Sequence, residues 1–203
     1  MGGYALMIIG LTGRSCAGKD AAAEWFSQRG LQVLDVDRLG HEALIAQKEK
    51  IVEAFSPSVL NGEGQVDRKK LSQIVFGHPE QLEKLNSISH PWMKKRAEDF
   101  VSCHEWGLIN CALLEKMDLV RLCGEILYFY APLEQRCMRA LQRDGISEEA
   151  FMRREASQSD IGQSLFNSGK RVITILNDKD REYLYRQLDF YYATLLDRGY
   201  VYG

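Results

Sequence analysis

The chain of 203 residues has little that would mark a secreted, membrane-bound or nucleic-acid-binding protein. Cysteine is scarce: five residues, an odd number, with no Cys-x-x-Cys pair. That usage argues for free thiols in a reducing cytosol. No apolar run approaches the length needed to span a bilayer. The N-terminus has no basic region, and its apolar stretch runs straight into a glycine-rich turn, so no secretory signal peptide is expected. Gly2 would suit N-myristoylation, but Leu6 stands where that signal wants Ser or Thr. Neither sign of charge dominates; the net charge of −2 leaves no electrostatic footprint for nucleic acid. The short basic clusters Lys94-Lys95-Arg96, Arg153-Arg154 and Lys170-Arg171 read as solvated faces or local anion contacts. No internal repeat is present. What remains, 45% apolar and 27% charged, is ordinary for a globular protein with a real core, at a length that suits one domain with an insertion. A cytoplasmic monomer or weak oligomer with small-molecule partners, and with neither nucleic acid nor membrane, is expected.

The chain is organised around Gly13-Arg14-Ser15-Cys16-Ala17-Gly18-Lys19-Asp20. Before it, Ala5-Leu6-Met7-Ile8-Ile9 reads as a buried strand. After it, Ala21-Ala22-Ala23-Glu24-Trp25-Phe26 is a strong helix former. Strand, Gly-rich turn, Gly-Lys and helix make the context of a phosphate-binding loop, or P-loop. Glycines at both ends let the backbone wrap a phosphate closely, loop amides converge as an anion nest, and the helix N-terminus adds its positive dipole. Lys19 then reaches the outer phosphates. The Ser or Thr that usually follows the lysine and binds Mg²⁺ is Asp20 here.

Further along, Leu31 to Asp35 reads as a second strand, followed by a helix through Ala54. Asp35 falls at a strand end beside the loop, where parallel sheets bind ligands. Asp37 either shares its face, if the strand extends that far, or caps the next helix. Asp67 caps a short helix with Leu71, Ile74, Val75 and Phe76 on one face. Pro79 starts a longer helix that His90-Pro91 is expected to interrupt or kink. Leu108 to Ala112, Glu125 to Tyr130 and Arg171 to Leu176 read as three more strands. A helix spans Leu133 to Arg143, another starts near Ser147, and the last, Asp180 to Arg198, carries Leu184, Leu188, Tyr191 and Leu195 as a core stripe. Tyr183, Tyr185 and Tyr192 around that stripe gain no base-stacking role from the net charge. The polar segment from Gln158 to Lys170 suits a mobile lid. Strands alternating with helices predict a doubly wound parallel sheet with ligands at its C-terminal edge.

Phosphoryl transfer needs charge neutralised and reactants aligned more than it needs covalent help. Arg139 and Arg143 lie four apart on one helical face, and a guanidinium binds phosphate in a forked geometry. Arg143, next to the lid, is the candidate for that work. Arg136 and Arg153 read as ordinary surface arginines.

The chain resembles the dephospho-CoA kinase family over nearly its whole length. The resemblance runs through Ile9-Gly10-Leu11-Thr12-Gly13, Gly18-Lys19 and Asp35-Val36-Asp37. It continues through Gly64-Gln65-Val66-Asp67-Arg68, Ile74-Val75-Phe76 and Leu85-Asn86-Ser87-Ile88-Ser89-His90-Pro91. Ala131-Pro132, Arg139, Arg143-Asp144-Gly145, Arg154 with Gln158, and Ile175 with Asn177 complete it in order. It implies a P-loop kinase-type α/β fold: a five-stranded parallel sheet flanked by helices, with a helical CoA-binding subdomain at about 67–103 and a lid at about 143–170. The implied activity is transfer of the ATP γ-phosphate, with Mg²⁺, to the ribose 3′-hydroxyl of dephospho-CoA. Lys19, Asp35 and Arg143 would be catalytic. ATP would be held by Gly13, Arg14, Ser15, Cys16, Ala17, Gly18, Lys19, Asp20, Arg139 and Asn177, the last at the adenine. Asp35, Asp37 and His90 would bind the acceptor, and Asp20 the metal. The chain departs from the family at Arg14, Cys16, Ala17 and Asp20. It also departs at Ala112-Leu113-Leu114-Glu115-Lys116, where the family has Pro-Leu-Leu-Phe-Glu, and at Met117-Asp118, which lacks the usual glycine. Another nucleoside or nucleotide kinase of this fold, or a nucleotide-binding regulator retired from catalysis, is the alternative.

Overall fold

β1 (Met7–Gly13) is buried along its entire length and forms the middle strand of the sheet. The computed structural model describes residues 7–75 and 77–200. Ala5, Leu6 and Phe76, like Gly2, lie outside the described residues. With β2 (Val33–Asp35), β3 (Trp106–Asn110), β4 (Glu125–Tyr130) and β5 (Arg171–Leu176), the order across the sheet is β2-β3-β1-β4-β5. The β1–β3, β1–β4 and β4–β5 ladders are parallel, with Leu11 paired to Asn110 on one side and to Leu127 on the other. Uninterrupted apolar runs in β1, β3 and β4 are what a parallel sheet covered on both faces requires.

Connected helices supply the cover. α1 (Lys19–Ser27) buries Ala22, Ala23, Trp25 and Phe26. These pack into one core with Leu184, Leu188, Tyr191 and Leu195 of α8 (Arg181–Asp197) and with Ile9, Leu11 and Leu127 of the sheet. Tyr192 meets Trp25 edge to face at 5.9 Å, and Tyr185 packs on the same core, so both rings belong to the interior wall. α6 (Leu133–Asp144) and α7 (Glu148–Ser157) follow β4. In the polar segment after α7, Ile161 and Leu165 are buried. No helix among the described residues is long and apolar enough to cross a membrane, and all five cysteines are free.

The chain divides into two compact units: residues up to Leu34 together with those from Phe100 onward, and Asp35–Asp99. The second unit is helical and begins at Asp35, well before the expected boundary near residue 67. It contains α2 (Val36–Ala46), α3 (Lys48–Phe55), α4 (Arg68–Val75) and most of α5 (Pro79–Cys103). Its core is Ile51, Phe55, Val59 and Leu71, with Leu85 and Ile88 packed against it. Two local expectations are corrected here. The single helix expected through Ala54 breaks at Gln47 into α2 and α3. α5 is not interrupted at Pro91, because packing of Leu85 and Ile88 before it and burial of Met93 and Ala97 after it outweigh one lost hydrogen bond. Asp67 caps α4 as expected, accepting from the amides of Lys69 and Lys70.

Candidate active site

The loop leaves β1 at Gly13 and enters α1 at Lys19, and its two glycines are demanded by contacts as well as by φ. At Gly13, with φ +151°, a Cβ would stand 2.5 Å from the Phe129 carbonyl oxygen. At Gly18, with φ +116°, it would stand 2.3 Å from Asn177 Nδ2. Gly18 is also the N-cap of α1, with no side chain to take the first amides, which leaves the helix N-terminus open to an anion.

Lys19 is buried and its Nζ lies 2.8 Å from Asp20 Oδ1. The same oxygen accepts from Asn110 Nδ2 at 3.0 Å, and Arg143 Nη1 stands 3.6 Å from Asp20 Oδ2. Burial works to raise the Asp20 pKa, but the charge and hydrogen bond of Lys19, then Asn110 and Arg143, outweigh it and hold the carboxyl below its ordinary value. Asp20 therefore stands as a carboxylate between the two cations that the sequence assigns to phosphate. Arg143, half exposed, forks onto Asp144, whose hydrogen bond raises its pKa further against the opposing effect of burial.

Two further side chains hold the loop from behind. Asn177, just past β5, is buried and donates from Nδ2 to the Ala17 carbonyl at 2.9 Å. Arg139 donates to the Asn177 carbonyl at 2.9 Å and to the Cys16 carbonyl at 3.4 Å. Asn177 thus braces the loop as well as lining the cavity beside it. Arg136, which reads from sequence as a surface arginine, is 4% exposed and grips Glu155 of α7 with two nitrogens, at 2.5 and 2.8 Å. Glu155 also receives Arg14 at 2.6 Å, and Gln158 Oε1 accepts from the Ser15 amide at 2.8 Å. Arg154 reaches Ser15 Oγ at 3.2 Å.

In front of the loop lies a cavity of about 430 Å³. Its wall brings Arg139, Arg143, Lys179 and Arg181 together with one carboxylate, Asp20. A cavity with four cations and one anion, opening on a helix N-terminus, is built for a polyanion. In the segment after α7, the amides of Gly162 and Ser164 donate to Glu115 at 2.6 and 3.0 Å, while Lys116 pairs with Asp160.

In the second unit, Asp35 proves to be the N-cap of α2, accepting from the Arg38 amide at 3.0 Å. β2 stops at Asp35, so Asp37 is neither a strand residue nor the cap; it lies in the first turn of α2. His90 faces a cavity of about 550 Å³ that also meets His41, Arg68 and Lys69. Burial first, and Lys94 second, lower its pKa. Asn110, Arg136, Glu155, Lys179 and Arg181 are among the site residues that sequence reasoning missed. Of these only Glu155 carried a signal, since it lies between the motif residues Arg154 and Gln158.

A phosphate loop rooted in the central strand of a parallel sheet, with arginines from the following helices turned onto it, defines the P-loop phosphotransferases. Within that class the sequence is specific. The family model described as Dephospho-CoA kinase matches residues 7–178. The dephospho-CoA kinase of Carboxydothermus hydrogenoformans is 32% identical over 75% of this chain and 78% of its own. That of Fusobacterium nucleatum is 30% identical over 94% of this chain and 99% of its own. The crystal structure of TT1252 from Thermus thermophilus superposes with a TM-score of 0.78 at 28% identity, covering 94% of this chain and 98% of that one. The chain belongs to the dephospho-CoA kinase family and is a kinase.

Proposed function

We propose that the protein transfers the γ-phosphate of ATP to the ribose 3′-hydroxyl of dephospho-CoA in the cytoplasm. The observation that carries this reading is the four-cation cavity in front of the loop, with Lys19 and Arg143 directed at one carboxylate. In transfer, the charge spread over the phosphoryl oxygens is what must be neutralised. Lys19 and Arg143 exchange Asp20 for those oxygens, Arg139 holds the loop carbonyls in place, and the loop amides take the inner phosphates. Asp20 offers the oxygen that a hard cation prefers, so the donor set fits Mg²⁺. Bound with nucleotide, Mg²⁺ would neutralise charge between the phosphates. Asp35 accepts the hydroxyl proton. The helical unit takes the CoA moiety, with Asp37 and His90 among its contacts and the basic side chains Arg68 and Lys69 suited to the acceptor's own phosphates. Residues 143–170 act as the lid.

A coupled ADP-release assay with dephospho-CoA, adenosine and AMP as acceptors tests the proposal. Release with dephospho-CoA alone is expected; release with adenosine or AMP would place the protein among other kinases, and none at all would mark a retired enzyme. Asp35→Asn should lower kcat by about 10²–10⁴ with little change in ATP affinity. Full activity in that variant, with loss in Asp37→Asn, would transfer the base role to Asp37.

A further inference from the structure

Of the four cations that line the cavity in front of the phosphate loop, two are accounted for. Arg143 faces Asp20 and takes the outer phosphates with Lys19. Arg139 is committed to the carbonyls of Asn177 and Cys16 and braces the loop. Lys179 and Arg181 have no such task. They flank Asp180, the N-cap of α8, whose carboxylate is turned to the Tyr183 amide. A helix N-terminus is positive, so cations beside it stand against the dipole and their presence needs a reason. Neither is firmly paired. Lys179 lies over the Tyr183 ring at 4.5 Å, with no ion pair among the described residues. Arg181 lies over Tyr185 at 5.6 Å and stands 4.0 Å from Glu24, in a pair whose side chains are 68% and 62% exposed. With a triphosphate at Gly18 and Lys19, the nucleoside half of the donor is left the wall of Gln142, Asn177, Lys179, Arg181 and Leu184. That half of ATP is uncharged, so it gives the two cations nothing to neutralise.

We propose that this cavity also binds adenosine nucleotides that carry a phosphate on the ribose, and that the reaction's own product is one of them. The inference rests on the phosphoryl-transfer reading of the same site. Transfer to the 3′-hydroxyl of dephospho-CoA turns the ADP half of the acceptor into 3′-phospho-ADP. That half offers a diphosphate to the loop amides and the α1 N-terminus, and an uncharged nucleoside to the Leu184 wall. Its third group, the new 3′-phosphate, is the anion that Lys179 and Arg181 lack. The acceptor before transfer has no such group, so these two cations distinguish product from substrate. Both are exposed, and an incoming phosphate has no buried ion pair to break before it reaches them. The product therefore competes with ATP for the donor cavity, and turnover slows as product accumulates. Lys179 and Arg181 set the strength of that competition.

Calorimetry with AMP and adenosine 3′,5′-bisphosphate, two probes that differ only in the 3′-phosphate, tests this without turnover. Wild type should bind the bisphosphate about 10-fold more tightly than AMP at low salt, and the advantage should shrink as salt screens the exposed cations. The double variant Lys179→Gln, Arg181→Gln should lose the advantage and keep its AMP affinity, without a drop in melting temperature. Saturating ADP should abolish binding of the bisphosphate, since both use one cavity. Equal affinity for the two probes in wild type would overturn the inference. So would an advantage that survives in the double variant or under saturating ADP, because the 3′-phosphate would then be held elsewhere. In the ADP-release assay, CoA should inhibit competitively with ATP in wild type and about 10-fold more weakly in the double variant, with KM for dephospho-CoA unchanged. Inhibition competitive with dephospho-CoA alone would overturn the inference too. No ADP release at all would overturn the transfer reading and the product's part in the inference, while the two probes still read the preference for a 3′-phosphate independently.

Discussion

Lys19 and Asp20 are neighbours in the chain and partners in space, and their pairing states what each has to give up when a nucleotide arrives. Lys19→Ala removes a charge that matters mainly once the phosphoryl group carries its transition-state charge. Its kcat should fall by at least about 10²-fold with saturating ATP, while the melting temperature moves little. Near-wild-type turnover would remove Lys19 from catalysis. Cys16 and Gly18 make a complementary pair of backbone tests. Cys16 is held at φ +60°, a left-handed conformation that glycine adopts without strain. Cys16→Gly should therefore lie within about 1 kcal/mol of wild type, on the stabilising side, after the added flexibility of the unfolded chain is counted. Gly18→Ala should destabilise by more than about 1 kcal/mol, since the new methyl must displace the Asn177 amide from its carbonyl. Thermal melts of the two variants would show opposite signs. Gly18 and Lys19 are legible in the sequence because their reasons are local: a turn, a helix start, a phosphate. Arg136 is not, because what buries it is a carboxylate 19 residues further on that no motif names.

At the scale of elements, the loop is shaped by α6 and α7 as much as by the strand that bears it. Glu155 ties Arg14 to Arg136 and so fastens α7 to the loop. Hydrogen bonds from Arg136, and secondarily Arg14, hold its pKa below the ordinary carboxylate value against the opposing effect of burial. A depressed carboxylate stabilises the fold above its unfolded pKa and loses that contribution as pH falls through its folded one. Glu155→Gln should cost about 3 kcal/mol at pH 7, because it leaves Arg136 buried without its counter-charge. The gap in melting temperature between the two proteins should narrow as pH falls below the ordinary glutamate pKa and close only once Glu155 is protonated in the folded state as well. A gap that persists unchanged into acid would mean that Glu155 acts by shape alone. The elements themselves were largely readable from periodicity and caps, including Asp67 before α4 and Asp180 before α8. The unbroken α5 was not, for proline argues locally against a helix and only tertiary packing argues for one.

For the molecule as a whole, alternating strands and helices with one phosphate loop were enough to predict a parallel sheet and its ligand edge. They were not enough to place the start of the helical unit at Asp35, because a cap and a catalytic carboxylate look alike in one dimension. The position of β1 has a kinetic consequence. Paired on both sides, by β3 and by β4, it opens only when the sheet opens, so the amides of Ile9, Gly10 and Leu11 should be among the slowest to exchange with deuterium. The Ser15 amide hangs instead on a single side chain, Gln158, at the end of a solvent-washed helix. Floor and rim of one cradle thus keep different clocks. Adding ADP with Mg²⁺ should slow the amides of residues 15–19 many-fold and leave those of β1 almost untouched. Each empty cycle would then begin with a rim already searching for its anion over a floor that never moves.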